Sequence, residues 1–306
     1  MRAIALAEQG SAPALLQLPA PAPADGEILV KVAASSLNGF DVAVASGYLV
    51  GMMDHLYPVV IGKDFAGTVE ALGAGVEGLA VGDEVFGVLM RPVLGIGTLA
   101  ELTTVTAGFG VAKIPAGVDV AAAGSLGLAG AAALGVLDAL QLTPGQTLLV
   151  VGATGGVGSI LTQYAAAAGA RVIATAKPGA ESDFVRLHGA SDVVDPQGDL
   201  VAQVTAVAPA GVDAVAHLAA DASVLLPLLA PGGRLASTLG FGADQDPAAT
   251  AVMASPDAAT LGRLASDVAS GHIRVPITAT LTLDQVPAAI DSFSSGTLGK
   301  ISVVID

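Results

Sequence analysis

The sequence predicts a two-domain α/β chain, a β-rich domain followed by a doubly wound parallel sheet of six strands. Three observations predict it. Short β-like runs punctuated by Gly and Pro fill the first third, a glycine turn GATGGVG (152–158) follows an apolar strand near the middle, and strands then alternate with helices. The 306 residues suffice for two ordinary domains with a core each. Hydrophobic residues make up 53%, yet aromatics only 3%, so the cores are expected to be built from small, closely packed side chains.

In the first third the runs are EILVKVAASS (27–36), FAGTVEAL (65–72), DEVFGVLM (83–90) and LAELTTV (99–105), spaced as in a small barrel or sandwich. From about Val118 the pattern changes. VAAAGSLGLAGAAALGVLDAL (120–140) reads as one buried helix of small residues, and Pro144-Gly145 stops the chain before the strand at 147–152. There follow a helix at about 156–168, strand RVIATA (171–176), helix ESDFVRLHG (181–189), strand DVV (192–194) and a helix at about 199–207. Strand VDAVAHL (212–218), a helix at about 222–229, strand GRLASTLG (233–240), a helix at about 256–270 and strand IRVPITATLT (273–282) complete six strands. The tail from Leu283 reads as an amphipathic helix and a strand that returns to the β-rich domain.

Several classes are excluded. Residues 139–170 carry no charge, but Pro144, Gly145 and the later glycines divide them, and no Lys/Arg asymmetry flanks them, so a buried strand and helix are expected rather than a membrane span. Residues 1–16 carry Glu8 and Gln9 before a signal-length apolar core is complete, so no secretory signal is read and a soluble, cytoplasmic protein is expected. The chain has no Cys, which removes disulfides, thiolate metal ligands and a Cys nucleophile. A net charge of −15 repels a phosphate backbone, so nucleic acid is not expected as a partner. His55, His188, His217 and His272 are scattered and read as surface or packing residues, with no metal site expected.

The turn after the first strand of a doubly wound sheet presents unpaired helix N–H groups and a positive dipole end to an anion. Gly152, Ala153, Thr154, Gly155, Gly156, Val157 and Gly158 supply such a turn in a βαβ unit of the right length, and a dinucleotide pyrophosphate is expected there. A tight turn with close helix packing and no ligand is the alternative. At the end of the second strand, where an acid would hold the ribose 2′-hydroxyl of NAD, the chain has Thr175 and Lys177, which favours NADP(H). An ordinary exposed lysine is the competing reading of Lys177.

The order of parts resembles the medium-chain dehydrogenase/reductase superfamily, and within it the zinc-independent NADPH:quinone oxidoreductase branch. SSLNGFDVAVASGY (35–48), YPVVIGKDFAGTVEALGAGVEGLAVGDEVFG (57–87), GATGGVG, LHGASDVVD (187–195), GGRLASTLG (232–240) and GKISVVID (299–306) carry the resemblance over nearly the whole chain. It implies a GroES-like β-rich catalytic domain over 1–117 and 273–306 and a Rossmann NADPH-binding domain over 118–272. It also implies a homodimer and a small apolar quinone or enone acceptor. Zinc relatives carry a Cys in the Asn38 region and His-Glu where this chain has Lys63-Asp64. The branch's usual Leu-Thr-Ala is Ala131-Ala132-Ala133 here, its Tyr after the third strand is Pro196, and a Lys early in the next helix is replaced by Glu181.

By the same resemblance Asn38, Asp41 and Tyr48 line the catalytic cleft, and Leu218, Ala219, Leu239, Gly240 and Lys300 join the glycine turn around the cofactor. Asn38 would hold the nicotinamide ribose or an acceptor carbonyl, and Tyr48 would polarise that carbonyl or relay a proton. The residues also admit plainer readings: Asn38 as a helix cap, Asp41 as its first-turn acid, Tyr48 as turn packing, and Lys63 with Asp64 as a structural pair. Met52, Met53, Leu56 and Met90, in the loops 49–56 and 89–97, suggest an adaptable apolar acceptor site or a surface patch. The reaction expected is NADPH-dependent reduction of a quinone or another conjugated carbonyl. The alternatives are an enoyl-thioester or alkenal reductase and a non-catalytic NADPH-binding redox sensor. A short-chain dehydrogenase is excluded, because Tyr48, Tyr57 and Tyr164 are followed four places on by Met52, Ile61 and Ala168 rather than by Lys.

Overall fold

A computed structural model describes residues 1–293 and 296–306. Its chain forms two compact units, Met1–Leu128 with Pro256–Asp306, and Ala129–Ser255. This grouping places the helix Ala258–Ala269 with the first unit, whereas the sequence-based limits assign it to the dinucleotide domain. Ser294 and Ser295, within the expected C-terminal tail, lie outside the described residues.

In the first unit the strand Glu27–Leu37 is the organising element. Ile28, Val30, Val32 and Ala34 alternate into the core, as the two-residue period of a strand requires. It pairs antiparallel with Asp64–Leu72, Lys300–Val304 and Leu102–Thr106. The sheet continues outward through Glu84–Val88 and Val111–Lys113 on one side and Ile277–Thr282 on the other. Ile4, Ile61, Phe65, Val69 and Leu99 fill the core, each contributing roughly 1.5–3 kcal/mol by burial. A three-stranded sheet of Ala14–Gln17, Arg2–Leu6 and Val59–Val60, and the pair Asp54–His55 with Val93–Leu94, complete the unit.

The second unit is a parallel sheet of six strands in the order Asp192–Val194, Arg171–Thr175, Thr147–Val151, Val212–His217, Leu229–Ser237, Ala249–Ala251. Leu149, Val151, Ile173 and Val215 are buried, the near-continuous apolar strands of a sheet covered on both faces. The helix Gly156–Ala167 follows the central strand. Among the described residues no helix is long and apolar enough to cross a membrane.

Three elements differ from the sequence reading. The sixth parallel strand is Ala249–Ala251, a three-residue segment too short to stand out in the sequence, while Ile277–Thr282 joins the sheet of the first unit beside Lys300–Val304. The helix expected near 222–229 is two 3₁₀ turns, Ala222–Val224 and Leu226–Leu228, because Pro227 withholds the N–H a continuous helix needs. The helix expected over 120–140 is broken into Val120–Ala123 and Gly127–Leu140, the first ending at Gly124. The helix Gly39–Ala45, by contrast, follows Asn38 as its N-cap with Asp41 in its first turn, as the plainer reading of those two residues expects.

Candidate functional site

Two constellations stand out, one in each unit. In the second unit the glycine turn joins the strand Thr147–Val151 to the helix Gly156–Ala167. Gly152 has φ +92°, a conformation that side chains resist. A Cβ on Gly158 would lie 2.2 Å from the Gly152 carbonyl oxygen, so the helix approaches the turn as only glycine permits. The helix N-cap is Gly155, with no side chain bonded over it. The N–H groups of the first turn, at Gly156, Val157 and Gly158, therefore have neither an intrahelical acceptor nor a capping side chain, as an anion site requires. Ala153 is buried and Thr154 half-buried within the turn.

Thr175 is buried beneath this turn. Its hydroxyl oxygen accepts the Gly152 N–H at 2.9 Å, and its O–H points to the Val150 carbonyl at 3.4 Å. It braces the glycine turn from the neighbouring strand, whereas the sequence reading aimed it at a 2′-phosphate. Lys177 is half-exposed just beyond, paired with Glu181.

Leu218 and Ala219 pack against Gly152, where a Cβ would meet both side chains at 3.2 Å. The expected cofactor contacts Leu218, Ala219, Leu239 and Gly240 lie in two loops tied together by His217, which reads in the sequence as a surface or packing residue. The His217 Nε2 donates to the Ala220 carbonyl at 3.1 Å, which leaves Nδ1 to accept from the Ser237 hydroxyl at 2.9 Å. The Ser237 oxygen in turn accepts the Leu239 N–H at 3.0 Å. Ala220 holds φ +69°, an unfavourable setting for a side chain that the His217 bond helps to hold.

In the first unit three adjacent strands end at one point. Asp64 begins its strand, Leu37 ends the central one and Lys300 begins the third, so antiparallel pairing places Asp64, Asn38 and Lys300 together. Lys300 Nζ, 2% exposed, donates to Asn38 Oδ1 at 2.7 Å and stands 3.4 Å from Asp64 Oδ2. The Asn38 Nδ2 donates to Asp64 Oδ2 at 2.9 Å, the Ser36 hydroxyl to the same oxygen at 2.6 Å, and the Leu128 N–H to Asp64 Oδ1 at 2.7 Å. Because ammonium only donates, Lys300 fixes the amide orientation of Asn38. Asn38 then has one Nδ2 hydrogen left for a further acceptor.

Asp41 is fully buried in the first turn of the helix Gly39–Ala45, and its Oδ2 accepts the Asn38 N–H at 2.8 Å. Its Oδ1 has no partner among the described residues. Burial first, and the Asp64 charge second, push its carboxyl up to about 7. Lys63 does not pair with Asp64. Its Nζ lies over the Phe40 ring, 4.4 Å from the centroid, and burial lowers its pKa against the opposing pull of Asp41. The separation follows from geometry, since consecutive residues of extended chain project to opposite sides. A cavity of about 10 Å³ adjoins Phe40, Asp41 and Lys63, on the scale of one water molecule.

Lys300, expected at the cofactor, thus belongs to the buried cluster of the first unit, while the glycine turn lies in the second. Tyr48 is 72% exposed, beyond that helix. Met52 and Leu56 are exposed as well, whereas Met53 packs on the core.

A β-rich unit and a six-stranded parallel sheet with a glycine turn at its central strand define a two-domain oxidoreductase with a Rossmann-type NAD(P)-binding domain. Residues 24–116 match the alcohol dehydrogenase GroES-like domain family and residues 156–264 the zinc-binding dehydrogenase family. The chain belongs to the medium-chain dehydrogenase/reductase superfamily, in its quinone oxidoreductase branch. It is 34% identical over 229 residues to the chloroplast envelope quinone oxidoreductase homolog of Arabidopsis thaliana, covering 72% of this chain and 68% of that one. It is 38% identical over 217 residues to a mycocerosic acid synthase-like polyketide synthase of Mycobacterium tuberculosis, covering 69% of this chain and 10% of the synthase. A mycobacterial protein solved in complex with NADPH superimposes with a TM-score of 0.85 at 27% identity, covering 99% of both chains.

Proposed function

We propose that this oxidoreductase is a zinc-independent, NADPH-dependent reductase of quinones or other conjugated carbonyls. The observation that carries the cofactor is the uncovered helix N-terminus at Gly155–Gly158, set on Gly152 and braced by Thr175. The similar fold solved with NADPH supports the choice of nucleotide, and the plant relative supports the acceptor class. The N–H groups of Gly156, Val157 and Gly158 hold the pyrophosphate, Lys177 stands at the 2′-phosphate, and Leu218, Ala219, Leu239 and Gly240 line the dinucleotide. Bound NADPH supplies the hydride, and the chain's task is to position it and exclude water. Asn38, held as a donor by Lys300, polarises the acceptor carbonyl or holds the ribose. Tyr48 is the exposed phenol of the same unit and serves as proton relay, and Asp41 orients Asn38 through its backbone.

The donor set does not fit a zinc ion. No group of three His, Cys, Asp or Glu converges among the described residues, and the cation beside Asp64 is the Lys300 ammonium. A homodimer and a cytoplasmic location complete the proposal.

Reduction of an enoyl thioester is the second reading. The 38% identity to a segment of a polyketide synthase favours it. Consumption of NADPH by the purified protein, followed by absorbance with quinones, enones and enoyl thioesters in parallel, separates the two. Quinone and enone turnover that survives a chelator is expected. Binding without turnover across all three sets would instead identify a redox sensor, and stoichiometric zinc by metal analysis would overturn zinc independence.

A further inference from the structure

Read as a sequence, the strand Arg171–Thr175 has no acid at its end. Folding brings one there from further along the chain. Glu181, the second residue of the helix Ala180–Leu187, turns back so that its Oε2 accepts the Lys177 N–H at 2.9 Å and its Oε1 stands 3.3 Å from Lys177 Nζ. The Ser182 hydroxyl and N–H both donate to the Lys177 carbonyl, at 2.8 and 3.2 Å, so the turn 177–182 is held closed. This turn follows directly on Thr175, whose hydroxyl braces Gly152, and Ala174 lies opposite Val150 on the neighbouring strand. The carboxylate therefore occupies the second-strand end of a dinucleotide fold, where the ribose 2′ substituent is read.

We infer that Glu181 sets the choice of cofactor by offsetting Lys177, so that the protein discriminates only weakly between the 2′-phosphate of NADPH and the 2′-hydroxyl of NADH. The inference rests on the cofactor site proposed above. A lone ammonium would attract the phosphate, but a carboxylate at 3.3 Å presents it with a neutral pair and repels it at nearly the same distance. A hydroxyl carries no charge to feel that difference, and it can donate to the carboxylate.

Glu181→Gln keeps an amide oxygen for the Lys177 N–H and removes only the charge. Fluorescence titrations of NADPH and NADH, run separately on wild type and variant, give the readout. Wild-type affinities within about tenfold of each other are expected, with the variant binding NADPH about tenfold more tightly and NADH within about twofold of wild type. Lys177→Gln is expected to weaken NADPH alone. Unchanged NADPH affinity in Glu181→Gln, or an equal change for both nucleotides, overturns the inference.

A check on the unaltered protein does not depend on the variant's folding. Raising salt from about 50 to 500 mM should leave the ratio of the two affinities within about twofold, because a neutral pair has little field to screen. A strong NADPH preference that collapses with salt overturns the inference. Wild-type protein that prefers NADH would defeat the NADPH assignment and leave the role of Glu181 standing if Glu181→Gln still gains NADPH affinity. Protein that binds neither nucleotide, with no gain in Glu181→Gln, defeats both.

Discussion

Lys300 and Asn38 lie 262 residues apart in the chain and 2.7 Å apart in space, ammonium to amide oxygen, inside the first unit. The contact places a buried cation beside Asp64 and fixes which end of the Asn38 amide faces outward from it.

Replacing Lys300 with Met leaves Asp64 a buried carboxylate without its cation. A loss of about 3–5 kcal/mol is expected from urea denaturation. Lys300→Met with Asp64→Asn should recover part of that loss, since the charge left behind is also removed. Additive losses in the double variant would show that Lys300 acts by packing alone.

Asp41 predicts a pH dependence of stability. Its folded pKa of about 7 lies well above the ordinary aspartate value of about 3.8, so the folded state holds the proton more tightly. The stabilisation from this group is fully present below about pH 4 and is lost as pH rises towards 7, by at most about 1.4 kcal/mol per pH unit. Asp64, Lys63 and Lys300 are the charges that act on it. Denaturation midpoints of Asp41→Asn across this range should fall less with pH than those of wild type, and parallel profiles would refute the assignment.

Gly158→Ala forces a Cβ to within 2.2 Å of the Gly152 carbonyl oxygen, so the helix must withdraw from the turn. NADPH affinity should fall by more than about tenfold, and the melting temperature should drop with it. An alanine variant that binds normally would show that close helix approach is dispensable.

His217→Phe preserves much of the ring's bulk but removes the bonds to Ala220 and Ser237. Nucleotide affinity should weaken about tenfold with the far-ultraviolet circular dichroism unchanged. Ser237→Ala should give a similar effect, and the double variant should be no worse than either single one, as expected of residues acting in one network. Full additivity would separate the two loops.

Much of the fold is visible in local pattern. Alternation in Glu27–Leu37, the apolar run Thr147–Val151 and the glycine spacing at 152–158 are properties of contiguous residues, and the structure places a strand or turn at each. Ala249–Ala251 escapes such a reading because its strand character comes from pairing with Leu235–Ser237. In the site, Asn38 and the glycines are marked by their own neighbourhoods. The Lys300 cluster is not, because it depends on the register of three antiparallel strands. In the sequence Glu181 stands out only as the replacement of the branch's Lys and His217 only as a scattered histidine, because their partners are fixed by a turn and by two strand ends.

The first unit is assembled from both ends of the described chain, with the whole second unit inserted between Leu128 and Pro256. On the ribosome, Asp64 therefore emerges long before the lysine that neutralises it, while the inserted unit has every strand of its own sheet available earlier. We predict a nascent chain, arrested with Lys300 still inside the exit tunnel, in which the glycine-turn unit resists protease and the amino-terminal unit is cut. Equal protection of both halves at that point would contradict this order of assembly.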